Sequence, residues 1–452
     1  MRESELLRVY RPLYDYLDGL NIHGVRDLAR AFGVNAPTLG KKHDLILRII
    51  AVASGLSDPE PRSNKGARVK SDGASPESIE QVRRLIAACK ETMPFLAGPD
   101  SAEQTEFRDS ASDTRASAGY ADRRFVGILE CLSAGGRLCD KNGVRTDVFV
   151  AQSCIDDYGL REGDLISGYA GERSEGRVEV VQIIGVEGIA PSRSRPAFED
   201  FVPLLPAERI PLSASPVAAI RALEMLSPIG KGQRVLFRAP AGGGKTAFIR
   251  EAARCAAQAD LRTVVLAFGR PEECGEFAAA APSASVFAAP FGSQPAERVR
   301  MARLALAYCK GIAASGGDVV LLVDPLAELL RACAEVSSLP GVEGCASLAE
   351  QLFASARRLQ RAGTLTVIAA APAAGEAFDR FADAANCLLY GGAARAEGDP
   401  FGIDFARSFT RRADLLLTKE ECDAADALRA RLAATDAEGG AALLQQIQKE
   451  NL

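Results

Sequence analysis

Histidine is almost missing from this 452-residue chain: His23 and His43 are the only two, and none of the eleven cysteines stands in a CxxC pair. That excludes zinc sites of the usual spacing and a disulfide framework, and scattered single cysteines fit reduced thiols in a cytosol. Long apolar runs are absent too. "VVLLVD" and "LTVIAAAP" fall far short of the roughly 20 residues that a membrane-spanning helix needs. The first residues, "MRESELLRVYRPLYDYL", hold no apolar signal core, so export is not expected. Positive charge is not in excess: the net charge of −5 excludes a global pull towards nucleic acid, which would need a local basic lining instead. The expectation is a cytoplasmic protein with no membrane partner.

What is present is the composition of an ordinary globular protein, 47% apolar and 25% charged, with length for two or three domains. Residues 1–54 read as short helices, since "ESELLRVYRPLYDYL" and "KKHDLILRIIAVAS" repeat apolar residues at spacings of three and four. Residues 55–124 turn to Ser, Asp, Gly, Pro and charge, a flexible linker. One amphipathic helix interrupts it at "SPESIEQVRRLIAACKETM", with Ser75 as its cap and Pro76 at the first helical position. Residues 125–190 carry short β-rich runs at the spacing of a small barrel or sandwich. Residues 195–452 alternate strand and helix. Their strands, "RVLFRAP", "RTVVLAFG", "DVVLLVDP" and "TLTVIAAAP", are apolar on both faces, which predicts a parallel sheet covered by helices. The fold class is multidomain α+β.

Between "RVLFRAP" and the helical "TAFIREAARCAA" stand Gly242, Gly243, Gly244, Lys245, Thr246 and Ala247. Glycines let backbone amides curl round an anion, and the following helix presents further free N–H groups. Lys245 supplies a point charge for terminal phosphates and Thr246 an oxygen for Mg²⁺. A glycine-rich strand–helix turn without a ligand is the plain alternative, but strand, loop, Lys-Thr and helix occur in register, so ATP with Mg²⁺ is expected. Asp324 ends the apolar strand "DVVLLVD". It suits a carboxylate that orients metal-bound water, and equally a helix N-cap before Pro325.

These residues, together with others in collinear order, resemble the bacterial transcription termination factor Rho family, over most of the chain outside 55–124. "SPIGKGQRVLFRAPAGGGKT" is similar to that family's approach to its phosphate loop, "GRPEEC" to its ERPEE segment, and "DFARSFTRRADLLLT" to its arginine-finger segment. "DVFVAQSCIDDYGLREGDLISGYAG" resembles the second half of its RNA-binding barrel. The resemblance implies a small helical N-terminal domain, an OB or cold-shock-like barrel and a RecA-type P-loop ATPase domain. It implies a homo-hexamer, or co-assembly with another Rho chain, that uses ATP on single-stranded RNA, with RNA polymerase as a further partner. Site roles follow residue by residue. Arg411 takes the place of the finger that reaches a neighbouring subunit's γ-phosphate, and Arg270 matches a family position and is the second catalytic candidate. Phe401 stands where an aromatic stacks on adenine, and Gly230, Lys231, Gly232, Gln233, Arg234 and Val235 lead into the nucleotide site. The ordinary alternatives are a surface salt bridge for Arg270, a solvated pair for Arg411 and Arg412, and a core position for Phe401.

The departures fall on functional places. Gly269 stands where the family keeps the glutamate that polarises water, and Gly242 where it keeps an extra lysine. Gly136 and Leu138 replace the two aromatics that stack on RNA. Of the family's two pore lysines, one finds no counterpart in "SSLPGVEGCASL", and Ala377 takes the place of the other in "GEAFD". Loss of a general base costs roughly 10²–10⁴-fold, and each lost stacking platform roughly 1–3 kcal/mol. Glu272 and Glu273 are weak substitutes for the missing carboxylate, because the family has both in addition to it. Two readings stand: an RNA-dependent ATPase with weakened hydrolysis and RNA binding, or a non-catalytic nucleotide-holding paralogue. A P-loop ATPase unrelated to RNA is more distant.

Overall fold

The computed structural model describes residues 10–34, 41–54, 75, 78–86, 123–172, 177–338, 347–392 and 399–434. The chain forms two compact units, residues 1–126 with 165–193 and residues 127–164 with 194–452.

In the first unit, α1 (Arg11–Gly19), α2 (Ile22–Ala31) and α3 (Lys42–Ala53) surround an apolar cluster built on Leu13, Leu17, Leu28, Leu45 and Ile49. Asn21 caps α2 by accepting from the Gly24 amide at 2.8 Å, as short polar side chains do at a helix start. The helix expected inside the linker exists as α4 (78–86). Ser75 Oγ accepts from the Ser78 amide at 3.2 Å, so the cap read from sequence is in place. Its apolar face is not free, however: Val82, Leu85 and Ile86 enter the cluster of α1–α3. Each such side chain contributes about 1.5–3 kcal/mol on burial, which is the reason an amphipathic helix does not stand alone in a linker.

Strands β1 (Arg123–Leu132), β2 (Gly135–Cys139) and β3 (Arg145–Val150) pair antiparallel, and α5 (Gln152–Tyr158) follows. With β4 (Leu165–Glu172) and β5 (Val178–Val186) they make a sheet of order β1-β2-β3-β5-β4, closed into a barrel. Gly136 and Leu138 do not lie on an open face. Leu138 is 1% exposed, and a Cβ on Gly136 would stand 2.6 Å from Leu129 Cδ1 and 3.0 Å from the Glu130 carbonyl. Two phenylalanines at these positions would overpack the interior. Arg137, between them, is the exposed residue.

The remaining elements are β6 (Pro203–Leu204), α6 (Ala218–Leu226), β7 (Arg234–Ala239), α7 (Lys245–Gln258), β8 (Arg262–Ala267), α8 (Pro271–Ala280), β9 (Ser285–Ala288) and α9 (Pro295–Ala314). They continue with β10 (Asp318–Asp324), α10 (Leu326–Ser337), α11 (Leu348–Ala354), β11 (Arg357–Leu359), β12 (Thr364–Pro372), α12 (Glu376–Ala384), β13 (Cys387–Tyr390), β14 (Phe409–Thr410) and α13 (Lys419–Ala433). The main sheet runs β14-β13-β7-β12-β10-β8-β9 and is parallel from β13 to β9. β7, β8, β10 and β12 are buried almost throughout, as expected of strands covered on both faces. Glu130 of β1 accepts from Arg145 of β3 at 2.6 and 2.7 Å and from Arg300 of α9 at 3.2 Å, which ties these strands to the sheet's helices.

Candidate nucleotide-binding site

Parallel strands end together, and ligands of such sheets bind beyond their carboxyl ends. β7 runs into Pro240 and the glycine loop. Gly242 (φ 73°) and Gly244 (φ 79°) take the left-handed conformation that L side chains disfavour, and Gly244 caps α7. β10 ends on Asp324, in register with Ala267 of β8, and Phe268 donates its amide to the Asp324 carbonyl at 2.8 Å. Gly269 therefore lies beside the Asp324 backbone because two adjacent strands stop at the same level.

These ends enclose an open cleft of ≈ 690 Å³ lined by Gly242, Gly244, Lys245, Thr246, Ala247, Gly269, Arg270, Glu273 and Asp324, among others. That volume suits a small-molecule ligand. Lys245 Nζ donates to the Ala239 and Pro240 carbonyls at 3.0 and 2.8 Å, folded onto its own loop. Burial holds its pKa below the usual lysine value, with Asp324 opposing.

Asp324 is 2% exposed, and its Oδ2 is buried without a hydrogen-bond partner among the described residues. It is no helix cap: α10 has Pro325 at its N-cap and no side-chain cap bond. Burial pushes its carboxyl up to about 6. The Thr246 hydrogen bond opposes that shift, Glu273 adds to it and Lys245 opposes it. An orphaned carboxylate oxygen next to a threonine hydroxyl is a fitting pair of hard oxygen donors for Mg²⁺, which keeps its other positions for water and phosphate.

A folded-state pKa raised from 3.8 to about 6 gives stability that is full below the unfolded value and lost as pH rises through the folded one. Asp324→Asn is therefore expected to raise the melting temperature most at pH 8, where relief of a shift this size is worth about 2–3 kcal/mol, and by only about half as much at pH 5, which lies between the two pKa values. The same substitution should remove the stabilisation that Mg²⁺ adds to ATP. Thermal scans at both pH values check this, and an equal or negative change at pH 8 counts against it.

Six residues expected at the nucleotide lie elsewhere. Gly230, Lys231, Gly232 and Gln233 precede β7, and Arg234 and Val235 open it, at the end away from the phosphate loop. A six-residue strand spans roughly 20 Å, and none of them lines the cleft. Their roles are structural. Lys231 bridges Glu208 and Asp318, Gln233 Oε1 accepts from the Gly230 amide at 2.9 Å, and Val235 is fully buried. Gly232 (φ 89°) packs against the Arg358 backbone. Arg234 donates to the carbonyls of Ala384 and Ala356.

Phe401 is a core residue, 2% exposed, with its ring 5.8 Å edge-on to Phe248 and 6.2 Å from Phe237. It braces the phosphate loop from below, since a Cβ on Gly244 would meet its Cβ at 2.4 Å, and it offers no open face to a base. Arg270 is exposed and pairs with Glu273 at 3.4 Å. Arg411 is exposed on the end of the sheet remote from its own phosphate loop. Its amide donates to the Asn386 carbonyl, and it joins burial and Arg357 in lowering the pKa of Arg234. Arg412 is held by Asp414. Phe291, 72% exposed, and Glu328 also line the cleft. No sequence motif marks either, because both arrive through register of separate strands and helices. Most of "SSLPGVEGCASL" lies outside the described residues. Ala377 sits in the first turn of α12.

A parallel sheet with a glycine loop, Lys-Thr and a strand-end carboxylate at one edge defines a P-loop nucleotide-binding protein of mixed α/β class. Residues 219–383 match the ATP synthase alpha/beta family, nucleotide-binding domain. Curated relatives are transcription termination factor Rho of Streptomyces coelicolor, 32% identical over 348 residues, covering 72% of this chain and 82% of the relative, and of Thermotoga maritima, 31% identical, covering 66% and 75%. That of Mycobacterium leprae is 30% identical, covering 67% of this chain and 54% of the relative. The chain belongs to the transcription termination factor Rho family, as a divergent member. Among the described residues no helix is long and apolar enough to cross a membrane.

Proposed function

We propose that this chain is a Rho-type ring ATPase that acts on single-stranded RNA in transcription termination, with hydrolysis and RNA binding weaker than in motif-complete relatives. The observation that carries the reading is the convergence of Lys245, Thr246 and Asp324 on one cleft, with Arg411 held at the far end of the same sheet. A finger so placed serves a neighbour's nucleotide, which calls for a closed ring, a homo-hexamer or a ring shared with another Rho chain. The barrel of five strands is the OB-like RNA module, and the main sheet is the RecA-type motor.

In this reading the loop amides and Lys245 bind the phosphates, and Thr246 with Asp324 would hold Mg²⁺, whose chemistry is to neutralise charge on the phosphate oxygens. RNA at the barrel relies on exposed arginines such as Arg137 more than on stacking, so salt-sensitive contacts to phosphate dominate. Gly269 favours one second reading, a nucleotide-holding subunit that does not turn over.

Steady-state phosphate release at saturating ATP, with and without a panel of single-stranded RNAs, separates the two. Slow turnover raised by RNA is the expected result. No turnover with retained ATP binding selects the second reading, and turnover indifferent to every RNA overturns the RNA-dependent assignment.

A further inference from the structure

The space beside Gly269 is not vacant. An ideal Cβ on Gly269 would stand 2.2 Å from Glu273 Oε2 and 3.4 Å from its Cδ, with Pro325 Cδ the next atom at 3.9 Å. The Glu273 carboxylate thus lies where a side chain from the end of β8 would begin. Four residues on in sequence, it reaches back over the first turn of α8, where Oε2 accepts from the Arg270 amide at 2.8 Å. This is the reciprocal arm of a helix-start cap. It lines the same cleft as Lys245, Thr246 and Asp324, and only 15% of the side chain is exposed.

We propose that Glu273 orients the water that attacks the γ-phosphate, in place of the side chain that residue 269 lacks. The proposal rests on the reading of this cleft as an ATP-hydrolysing site. Arg270 takes one acceptor position on each oxygen, with its amide on Oε2 at 2.8 Å and its exposed guanidinium on Oε1 at 3.4 Å, and each carboxylate oxygen has more than one such position, which leaves room for a water. The other acidic candidates fit less well. Glu328 is engaged by Arg331 and, at 3.8 Å, by Arg298, and Glu272 is exposed. Glu273 also acts on Asp324, helping to raise its pKa, which puts the two carboxylates within electrostatic range of each other. A glutamate at residue 269 would occupy this volume itself and turn Glu273 out. Its absence is what admits Glu273.

In the step, the water oxygen forms a bond to the γ-phosphorus while the bond from that phosphorus to the bridging oxygen breaks. The electron pair leaves with ADP, and the water's proton passes to the Glu273 carboxylate and on to solvent.

The test uses the full chain with Mg²⁺ and ATP, following single-turnover phosphate release and, separately, affinity for a fluorescent ATP analogue. Glu273→Gln keeps an oxygen for the Arg270 amide, so the cap and fold are retained. It should lose about 10²-fold in turnover, with nucleotide affinity unchanged or tighter because a negative charge beside the γ-phosphate is gone. Glu276→Gln, on the same helix but paired with Arg250, should turn over as the wild type does. Gly269→Glu combined with Glu273→Gln should recover at least part of the loss. Wild-type turnover in Glu273→Gln, or a wild type that binds ATP and never cleaves it, overturns the proposal while leaving nucleotide binding intact. A wild type that fails to bind Mg²⁺ and ATP overturns both the proposal and the reading beneath it.

Discussion

Lys245→Ala is expected to lose ATP affinity by two to three orders of magnitude, the largest effect of any single substitution in the cleft. Its ammonium donates to two loop carbonyls, so binding exchanges two neutral acceptors for charged phosphate oxygens. A hydrogen bond to a charged group contributes about 1.5–3 kcal/mol, and two of them give a loss of roughly 10²–10³-fold or more. The fold should survive, since Pro240 is exposed and only the Ala239 carbonyl, at the buried end of β7, loses its partner away from solvent, and the melting temperature should fall by no more than a few degrees. Calorimetric titration of both proteins with Mg²⁺ and ATP checks this. Equal affinities refute the loop as the phosphate site.

Arg411→Ala should leave nucleotide affinity per subunit nearly unchanged and reduce turnover by about 10³-fold, the lower end of what an arginine finger supplies. The separation follows from position. Arg411 sits beside Asn386 and Arg234 at the opening end of β7, while its own phosphate loop follows the closing end. A mixture of Lys245→Ala and Arg411→Ala subunits should regain turnover that neither has alone, because some interfaces then pair an intact loop with an intact finger. Absence of any recovery, with assembly verified by light scattering, would show that the arginine does not act between subunits.

Local features were readable from the chain alone. The phosphate loop is contiguous, and its glycines, Lys245 and Thr246 are all required within a few residues, so its chemistry is written at the spacing at which it operates. The strands of the main sheet were visible because burial on both faces leaves an unbroken apolar run, as in "DVVLLVD". Ser75 was visible as a cap because a cap bond spans three residues.

Features that depend on what meets what across the fold were not. Phe401 carries the same aromatic ring whether it faces a base or the core, and the contacts with Phe248 and Gly244 decide for the core. Gly230 to Val235 precede the phosphate loop closely in sequence, yet strand β7 carries them to the opposite edge. Gly136 and Leu138 read as a lost RNA surface, whereas barrel pairing buries both.

By itself the sequence determined the family, the glycine loop with Lys245 and Thr246, and the glycine at residue 269, because each can be read from residue types in collinear order along the chain. Only the tertiary structure decided what stands in the space that glycine leaves. Whether Glu273 points to solvent or into the cleft depends on the backbone turn at Arg270 and Pro271 and on the level at which β8 and β10 end together. The cap bond to Arg270 is local, but the shared strand ends are set by packing between distant segments, and the outcome is a carboxylate in the cleft, 2.2 Å from where a Cβ on Gly269 would be.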